Sequence, residues 1–473
     1  MENNYEVEKE ENLPVSYENK LPEYEEISKL INEKKFNDLK RLSEDIPAPD
    51  LGKIIEMLPK EEVIIFYRIL SKDKAADTFI HMPSELQECL ISAFSEKELS
   101  DTLAELYLDD TVDIIEEMPA VLVKKILRNS SSENRNIINR LLQYSPDSAG
   151  SIMTTEYMRF SPDLTVEQAL ERVRQTGEEK ETIYVCYVTD KSRKLLGVVT
   201  ARSLMLSDTN TLLEDIMQKN VIFALTSDDK ETVAEKFNRY GLIAVPVVDN
   251  ELRLVGIITV DDAMEVMKDE TEEDFAKMAA IIPSETDYLK TSPFSVFKSR
   301  IPWLLLLMIS ATFTGAILNR FESVLIPTLV LFVPMLMDTA GNSGSQASVT
   351  VIRTLSYSKL RASDVIGIIL KELSVGALCG AALGTVGFLK ILLVDRLLLN
   401  NPSVTVWVAL SVAITIIATV MVAKLIGALL PILAKQMGFD PAVMASPFIT
   451  TIVDTVGLIV YFVISAYLFG LTV

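Results

Sequence analysis

From Arg300 to Val473 the chain is dominated by five long apolar runs, roughly 301–320, 323–352, 364–394, 404–432 and 446–470. Each is long enough to cross a hydrocarbon core of about 30 Å as a helix. No other feature constrains the fold as strongly, because in lipid every backbone polar group must be satisfied inside the protein. Charge divides at the same place. Of 45 basic and 66 acidic residues, 10 and 7 lie from Arg300 onward, so the preceding 299 residues carry 35 and 59. The first part is thus near −24 and the second near +3. So large an acidic excess repels nucleic acid and attracts cations.

Within the apolar part, Asp454 is the only charged side chain in the last 33 residues. A carboxylate at membrane depth costs about 2.5–3.5 kcal/mol on insertion scales, so it faces a bundle interior or a watery path and marks an ion route by default. Ser446, Thr450 and Asp454 recur at i, i+4 and i+8 and share one helical face, with Gly457 on the next turn. The bland alternative is a buried Asp that ties helices together. The run Pro334 to Gln346, which holds Asp338, Gly341, Asn342 and Gly344, is expected to break the second span. Broken backbone at that depth lines a cavity, where its carbonyls face an ion's water shell, or forms a kink with buried polar glue. Gly376, Gly380 and Gly384 recur every fourth residue and read as a close-packing face. Asp440 places a second carboxylate near the cytoplasmic mouth, where a helix cap followed by Pro441 explains it equally well.

Lys290, Lys298, Arg300, Arg353, Lys359, Arg361 and Lys435 fall on one side of the spans, against Arg320, Lys390 and Arg396 on the other. The positive-inside rule then makes the first part cytoplasmic and the C-terminus external. Cys89, Cys186 and Cys379 are scattered, which argues against a disulfide framework or a zinc site, and His81 is the sole histidine. Catalysis by histidine has almost nothing to work with.

The expected organisation is multidomain, α plus α/β. Residues 1–21 form an acidic, disordered tail without a signal-peptide core. Residues 22–145 read as short amphipathic helices broken at Leu58-Pro59, Met82-Pro83 and Met118-Pro119, a superhelical stack of hairpins. A duplication follows, in which Lys194–Thr200 matches Arg253–Thr259 and Gly197 matches Gly256. Each copy carries a helix, two β-rich runs and a second helix, a pattern that resembles a tandem pair of CBS modules, here 146–207 and 208–268. That resemblance implies an adenosine-nucleotide site where Thr-x-x-Asp follows the second strand. Thr259 and Asp262 keep it, while the first copy has Thr200 and Ser203. ATP is therefore a possible ligand of the second copy alone, and an empty structural pair is the other reading. A long connecting helix, 269–297, then joins a five-helix transmembrane domain, 298–473.

This order of parts, with Phe321-Glu322-Ser323, the run around Asn342, Asp440-Pro441-Ala442 and Asp454-x-x-Gly457-Leu458, resembles the MgtE-type magnesium channel family along nearly the whole chain. Two positions depart from it: Ala340 stands where the family has Gly, and Ser446 where some members have Asn. The resemblance implies a homodimer in membrane lipid with its pore on the two-fold axis. Asp454, Asp440, Asn342, Ser446 and Thr450 then form the pore ion-binding set. Mg2+ dehydrates reluctantly and prefers octahedral oxygen, so facing carboxylates would bind the hydrated ion through its waters. The resemblance also implies regulatory Mg2+ at Asp109, Asp113, Asp147, Asp229, Glu231, Asp262, Glu265, Glu270, Glu273 and Asp274. Metal-free, these acids repel; metal-bound, they compact the cytoplasmic part and close the gate.

Three other readings compete. A broader divalent transporter passes Mn2+, Co2+ or Ni2+ as well, since oxygen donors are permissive. A membrane-anchored CBS nucleotide sensor predicts no ion flux. An intramembrane aspartyl protease would use Asp338 and Asp454, but the glycine-flanked Asp motif expected of such enzymes is absent from both.

Overall fold

The computed structural model describes residues 24–283, 288–289, 291–322, 326–357, 360–444 and 446–470. The expected tail at 1–21, Lys290, Lys359 and the Ser446 side chain lie outside the described residues. Two compact units emerge, Met1–Met267 and Lys268–Val473.

The first unit begins with ten short helices among the described residues, from α1 (Tyr24–Asn32) to α10 (Ser132–Leu141). Prolines set their starts. Pro59, Pro83 and Pro119 each stand immediately before a helix with ψ near 142–143°, extended geometry that ends one run and leads into the next. Alternate helices stack: α3 (Ala48–Glu56) against α5 (Lys72–Ile80), α5 against α7 (Glu96–Glu105), and α7 against α9 (Ala120–Asn129). Tyr67, Phe79 and Phe94 knit neighbouring hairpins, with ring centroids 5.4–6.4 Å apart.

The duplication becomes two small sheets. In one, β1 (Tyr157–Phe160) lies parallel to β2 (Thr182–Thr189), which is antiparallel to β3 (Leu195–Thr200). In the other, β4 (Ala224–Leu225), β5 (Ala244–Val248) and β6 (Leu254–Thr259) repeat that order. The covering helices are α11 (Val166–Thr176), α12 (Ala201–Leu206), α13 (Leu213–Ile216) and α14 (Lys230–Tyr240). The repeated glycine has a packing cause. A Cβ on Gly197 would stand 2.9 Å from Gln218 O, and one on Gly256 2.8 Å from Thr154 O, so each copy needs a bare backbone where another segment crosses.

The expected connecting helix is divided. Helix α15 (Val260–Met278) starts directly after β6 and stops before Ala280, whose φ of 54° turns the chain, with Pro283 beyond. Helix α16 (Pro293–Glu322) then begins eight residues before the expected first span.

Among its described residues the second unit holds four helices apolar and long enough to cross a membrane: α16, α19 (Ala362–Lys390, running on as a π-helix through Leu398), α20 (Val406–Gln436) and α21 (Ser446–Phe469). The expected second span is a different object. A short helix α17 (Pro327–Val330) leads into α18 (Val333–Tyr357), which is 25 residues long and more polar. At a rise of about 1.5 Å per residue, that length still exceeds a hydrocarbon core of about 30 Å.

The expected break at Pro334–Gln346 is absent. The backbone is helical throughout that run, and the interruption falls earlier, at Leu331-Phe332. Pro334 lies in the first turn of α18, where no intrahelical N–H is needed. The glycines serve close packing instead: a Cβ on Gly344 would meet Ala423 O at 3.1 Å, and one on Gly427 would meet Gly344 O at 2.1 Å. The true interruption is tied down by Tyr461, whose buried hydroxyl donates to Leu329 O at 2.8 Å.

Candidate functional site

Helix α18 buries one face and leaves another exposed. Gly341, Ser343, Gly344, Ala347 and Ser348 are buried, whereas Asp338, Asn342, Gln346 and Thr350 form an exposed polar row at successive turns. Asn342 Nδ2 donates to Asp338 Oδ1 at 3.1 Å, which fixes the first turn of that row. Helix α21 lies alongside. A Cβ on Gly341 would stand 3.2 Å from Thr450 Cγ2 and 3.5 Å from Asp454 Oδ1, so glycine lets both side chains reach α18. Asp338 and Asp454 lie within electrostatic reach of each other. The fold thus brings Asp454, Thr450 and Asn342 to one place, and adds Asp338. Thr450 turns its hydroxyl back to Pro447 O at 2.9 Å. Ala340 is buried, and its Cβ faces Gly457, where an added Cβ would be 3.8 Å away; this departure from the family points into packing, away from the polar row.

Asp440 sits apart from that row. Its Oδ1 accepts from Ala442 N at 2.8 Å, capping the turn Pro441–Met444, and its Oδ2 accepts from Lys277 Nζ at 2.7 Å. Lys277 also pairs with Glu273 Oε1 at 2.6 Å. Burial lowers the Lys277 ammonium's proton affinity, but these two acids outweigh it and hold it above its ordinary range. Partial burial, then Asp440, pushes the Asp274 carboxyl up. Asp440, Glu273 and Asp274 therefore share a neighbourhood whose counter-ion is an ammonium.

A second acidic group forms inside the first unit. Asp109 and Asp113 lie on α8 (Leu108–Glu117), and Asp262 and Glu265 begin α15. These four are expected from the sequence; Asp110, Glu156 and Glu181, which no motif or spacing singles out, join them. Burial, with repulsion from Asp110 and Asp262 next, pushes Asp109 well above the usual carboxylate range. Burial raises Asp110 to about 7, helped by Asp262 and Glu156. Asp113 reaches the surface, yet protein crowds its carboxylate enough to bring it to about 7 as well. Glu181 rises to about 8 through burial and the charges of Asp262 and Asp110. Asp109 Oδ1 and Glu181 Oε2 are buried with no hydrogen-bond partner in the protein. Unpaired buried carboxylate oxygens cost free energy unless a proton or a cation meets them.

Asp262 also accepts from Thr259 Oγ1 at 2.6 Å, so the expected nucleotide pair is engaged with itself and faces the acidic group. Asp147, Asp229 and Glu231 gather around the start of α14. Asp229 caps that helix through Thr232 N at 3.0 Å, and Asp147 pairs with Lys230 at 3.3 Å. Glu270 lies on α15 beyond Glu265. Among the described residues, no three acidic, histidine or cysteine side chains form a ready-made metal cage.

Comparison with known proteins places these features. The MgtE divalent cation transporter family matches residues 333–464, its intracellular N domain matches 46–147, and CBS domains match 149–208 and 213–269. The chain is 33% identical over 431 residues to the magnesium transporter MgtE of Thermus thermophilus, covering 89% of this chain and 93% of that protein. It is 33% identical over 337 residues to the magnesium transporter MgtE of Enterococcus faecalis, covering 71% of this chain and 72% of the relative. A crystal structure of the soluble part of a magnesium transporter is similar at 31% identity and a TM-score of 0.50, covering 52% of this chain and 97% of that one. With its helical N domain, tandem CBS pair and apolar helices in the family's order, this chain belongs to the MgtE family of magnesium transporters, membrane proteins whose N-terminal part is cytosolic.

Proposed function

We propose that hydrated Mg2+ passes along the exposed polar row of α18 beside Asp454, in a pore completed by a second copy of the chain. One observation carries this reading: Asp338, Asn342, Gln346 and Thr350 line the open face of a helix set among membrane-length apolar helices. Such a face is costly against lipid and stable against water or a like partner. A homodimer supplies that partner and turns one Asp454 into a facing pair. The outer surface of α16, with Leu304, Leu305, Met308, Ile309 and Phe313 exposed, suits lipid hydrocarbon.

The regulatory reading rests on the two acidic neighbourhoods. Asp109, Asp110, Glu156, Glu181 and Asp262 repel one another where they are poorly hydrated, and Asp113 adds its charge at their edge, so the compact arrangement is unstable without a counter-charge. Mg2+ supplies that charge when bound. The carboxylates then ionise, the N domain and CBS pair stay together, and α15 carries the change toward Glu273, Asp274 and Asp440. Rising cytosolic Mg2+ thereby closes the pore through a shift of population. Asp147, Asp229, Glu231 and Glu270 add to the same field. ATP at Thr259 and Asp262 would meet this negative field, which favours the nucleotide with Mg2+ over the bare triphosphate.

Purified full-length protein in proteoliposomes tests the reading. Mg2+ entry that is lost in Asp454→Ala supports it, and absence of flux for every divalent ion rejects it. Equal flux of Mn2+, Co2+ and Ni2+ would instead favour the broader divalent transporter.

A further inference from the structure

Helix α19 lays its glycine row along α20. Added Cβ atoms on Gly376, Gly380 and Gly384 would stand 3.1 Å from Met421 Cα, 3.0 Å from Ile417 Cα and 2.9 Å from Ala413 O. The next residue of that row toward the helix start is Glu372. Facing it on α20 is Lys424, with Lys424 Nζ 3.9 Å from Glu372 Oε2 and the two side chains only 5% and 12% exposed. Both lie within membrane-length apolar helices, where unpaired charge is costly and paired charge is kept for a reason. Adhesion is a poor reason. The glycine row already joins these helices, and a buried ion pair stabilises no better than apolar side chains of its size.

The same turn of α20 also touches α18. Ala423 and Gly427 flank Lys424, and their contacts with Gly344 are so tight that a Cβ on Gly427 would be 2.1 Å from Gly344 O. Gly344 follows Asn342 by two residues on the helix that carries the polar row. A shift of α20 against α19 is therefore passed to α18 through backbone contact, with no flexible side chain to absorb it.

We propose that Glu372 and Lys424 are a positioning pair for ion conduction: their mutual neutralisation lets α20 keep its place along the glycine row of α19, which a lone buried charge would disturb, and α20 in turn sets the polar row of α18 beside Asp454. The inference rests on the conduction pathway proposed above. Neither residue touches the transported ion.

Full-length Glu372→Gln, Lys424→Met and the double variant, each in planar bilayers, provide the test. Each single variant leaves one buried charge without its partner, and its unitary Mg2+ current should fall by about threefold to tenfold, with a lower Mg2+ to Na+ permeability ratio. The double variant removes both charges and should recover unitary current to within about twofold. A purely adhesive pair would change the amount of folded protein but not the current through each open channel. Wild-type unitary current in a folded single variant, or a folded double variant that fails to recover, overturns the proposal. Should Lys424→Met not fold, Glu372→Gln and the double variant decide it alone. A wild-type protein that carries no Mg2+ current sinks the conduction reading itself, a result distinct from either outcome among the variants.

Discussion

Lys277 Nζ lies 2.7 Å from Asp440 Oδ2 across 163 residues of sequence, so the end of α15 is pinned to the turn that precedes α21. The chain places its own ammonium among Glu273, Asp274 and Asp440, acids expected to meet Mg2+. Removing that ammonium should loosen the closed arrangement when Mg2+ is scarce. Lys277→Met is expected to raise open probability at low internal Mg2+ and to move half-closure upward by about threefold. Patch recordings over a range of internal Mg2+ would show it; an unchanged closing curve would mean the contact plays no part in gating.

Asp454 brings a second carboxylate to the polar row, within electrostatic reach of Asp338 in that row. Asp454→Ala should abolish Mg2+ flux while the protein elutes as the wild type does. Asp338→Asn keeps shape and removes one charge, and should reduce flux by about tenfold without abolishing it. Radiotracer or fluorescent-dye flux into proteoliposomes separates these outcomes, and normal transport by Asp454→Ala would remove that residue from the pathway.

Regulation should weaken in acid. In the metal-free folded unit Asp110 and Asp113 titrate near 7 and Glu181 near 8, whereas their ordinary values are 3.8 and 4.5. Folded protein thus holds more protons than unfolded protein across that window. Metal-free stability from these groups is full below about pH 4 and is lost as pH rises through 7 to 8. Mg2+ needs the same groups ionised, so the Mg2+ required for half-closure should be higher at pH 6 than at pH 8, by up to about tenfold per pH unit for each proton displaced. Calorimetry in buffers of different ionisation enthalpy would detect the released protons. Identical Mg2+ dependence at both pH values would exclude this cluster as the sensor.

Neutralising Glu156 and Glu181 together, as Gln, should stabilise the metal-free compact form. The variant is expected to need less Mg2+ to close, or to stay closed without it, because repulsion toward Asp110 and Asp262 is gone. Neutralising Asp262, Glu265 and Glu273 should act in the other direction by removing acids proposed to meet the ion, leaving the channel open at high Mg2+. Closure curves that coincide with the wild type would reject the shared role of these acids.

Gly427→Ala tests the packing beneath the polar row. Its Cβ would fall 2.1 Å from a backbone oxygen, so α18 and α20 must separate. A cost of at least about 1–3 kcal/mol is expected, read as a lower unfolding temperature of the detergent-solubilised protein. Unchanged thermal stability would show that the two helices do not approach so closely.

Local period and length are legible along most of the chain. Proline-punctuated amphipathic turns yield the stacked helices, the repeat around Gly197 and Gly256 yields two like sheets, and apolar length yields the membrane-scale helices. The spacing of Thr450 and Asp454 likewise put them on one face, because a helix is a ruler for residues four apart. Tertiary structure decided which distant charges meet. Nothing in spacing brings Glu156 and Glu181 to Asp110, Lys277 to Asp440, or Lys424 to Glu372, since those meetings depend on how whole elements pack. It also decided the meaning of the glycines after Asp338. Glycine both breaks helices and lets them touch, and only the carbonyls of Gly344 and Ala423, pressed against a neighbouring helix, show that here it does the second.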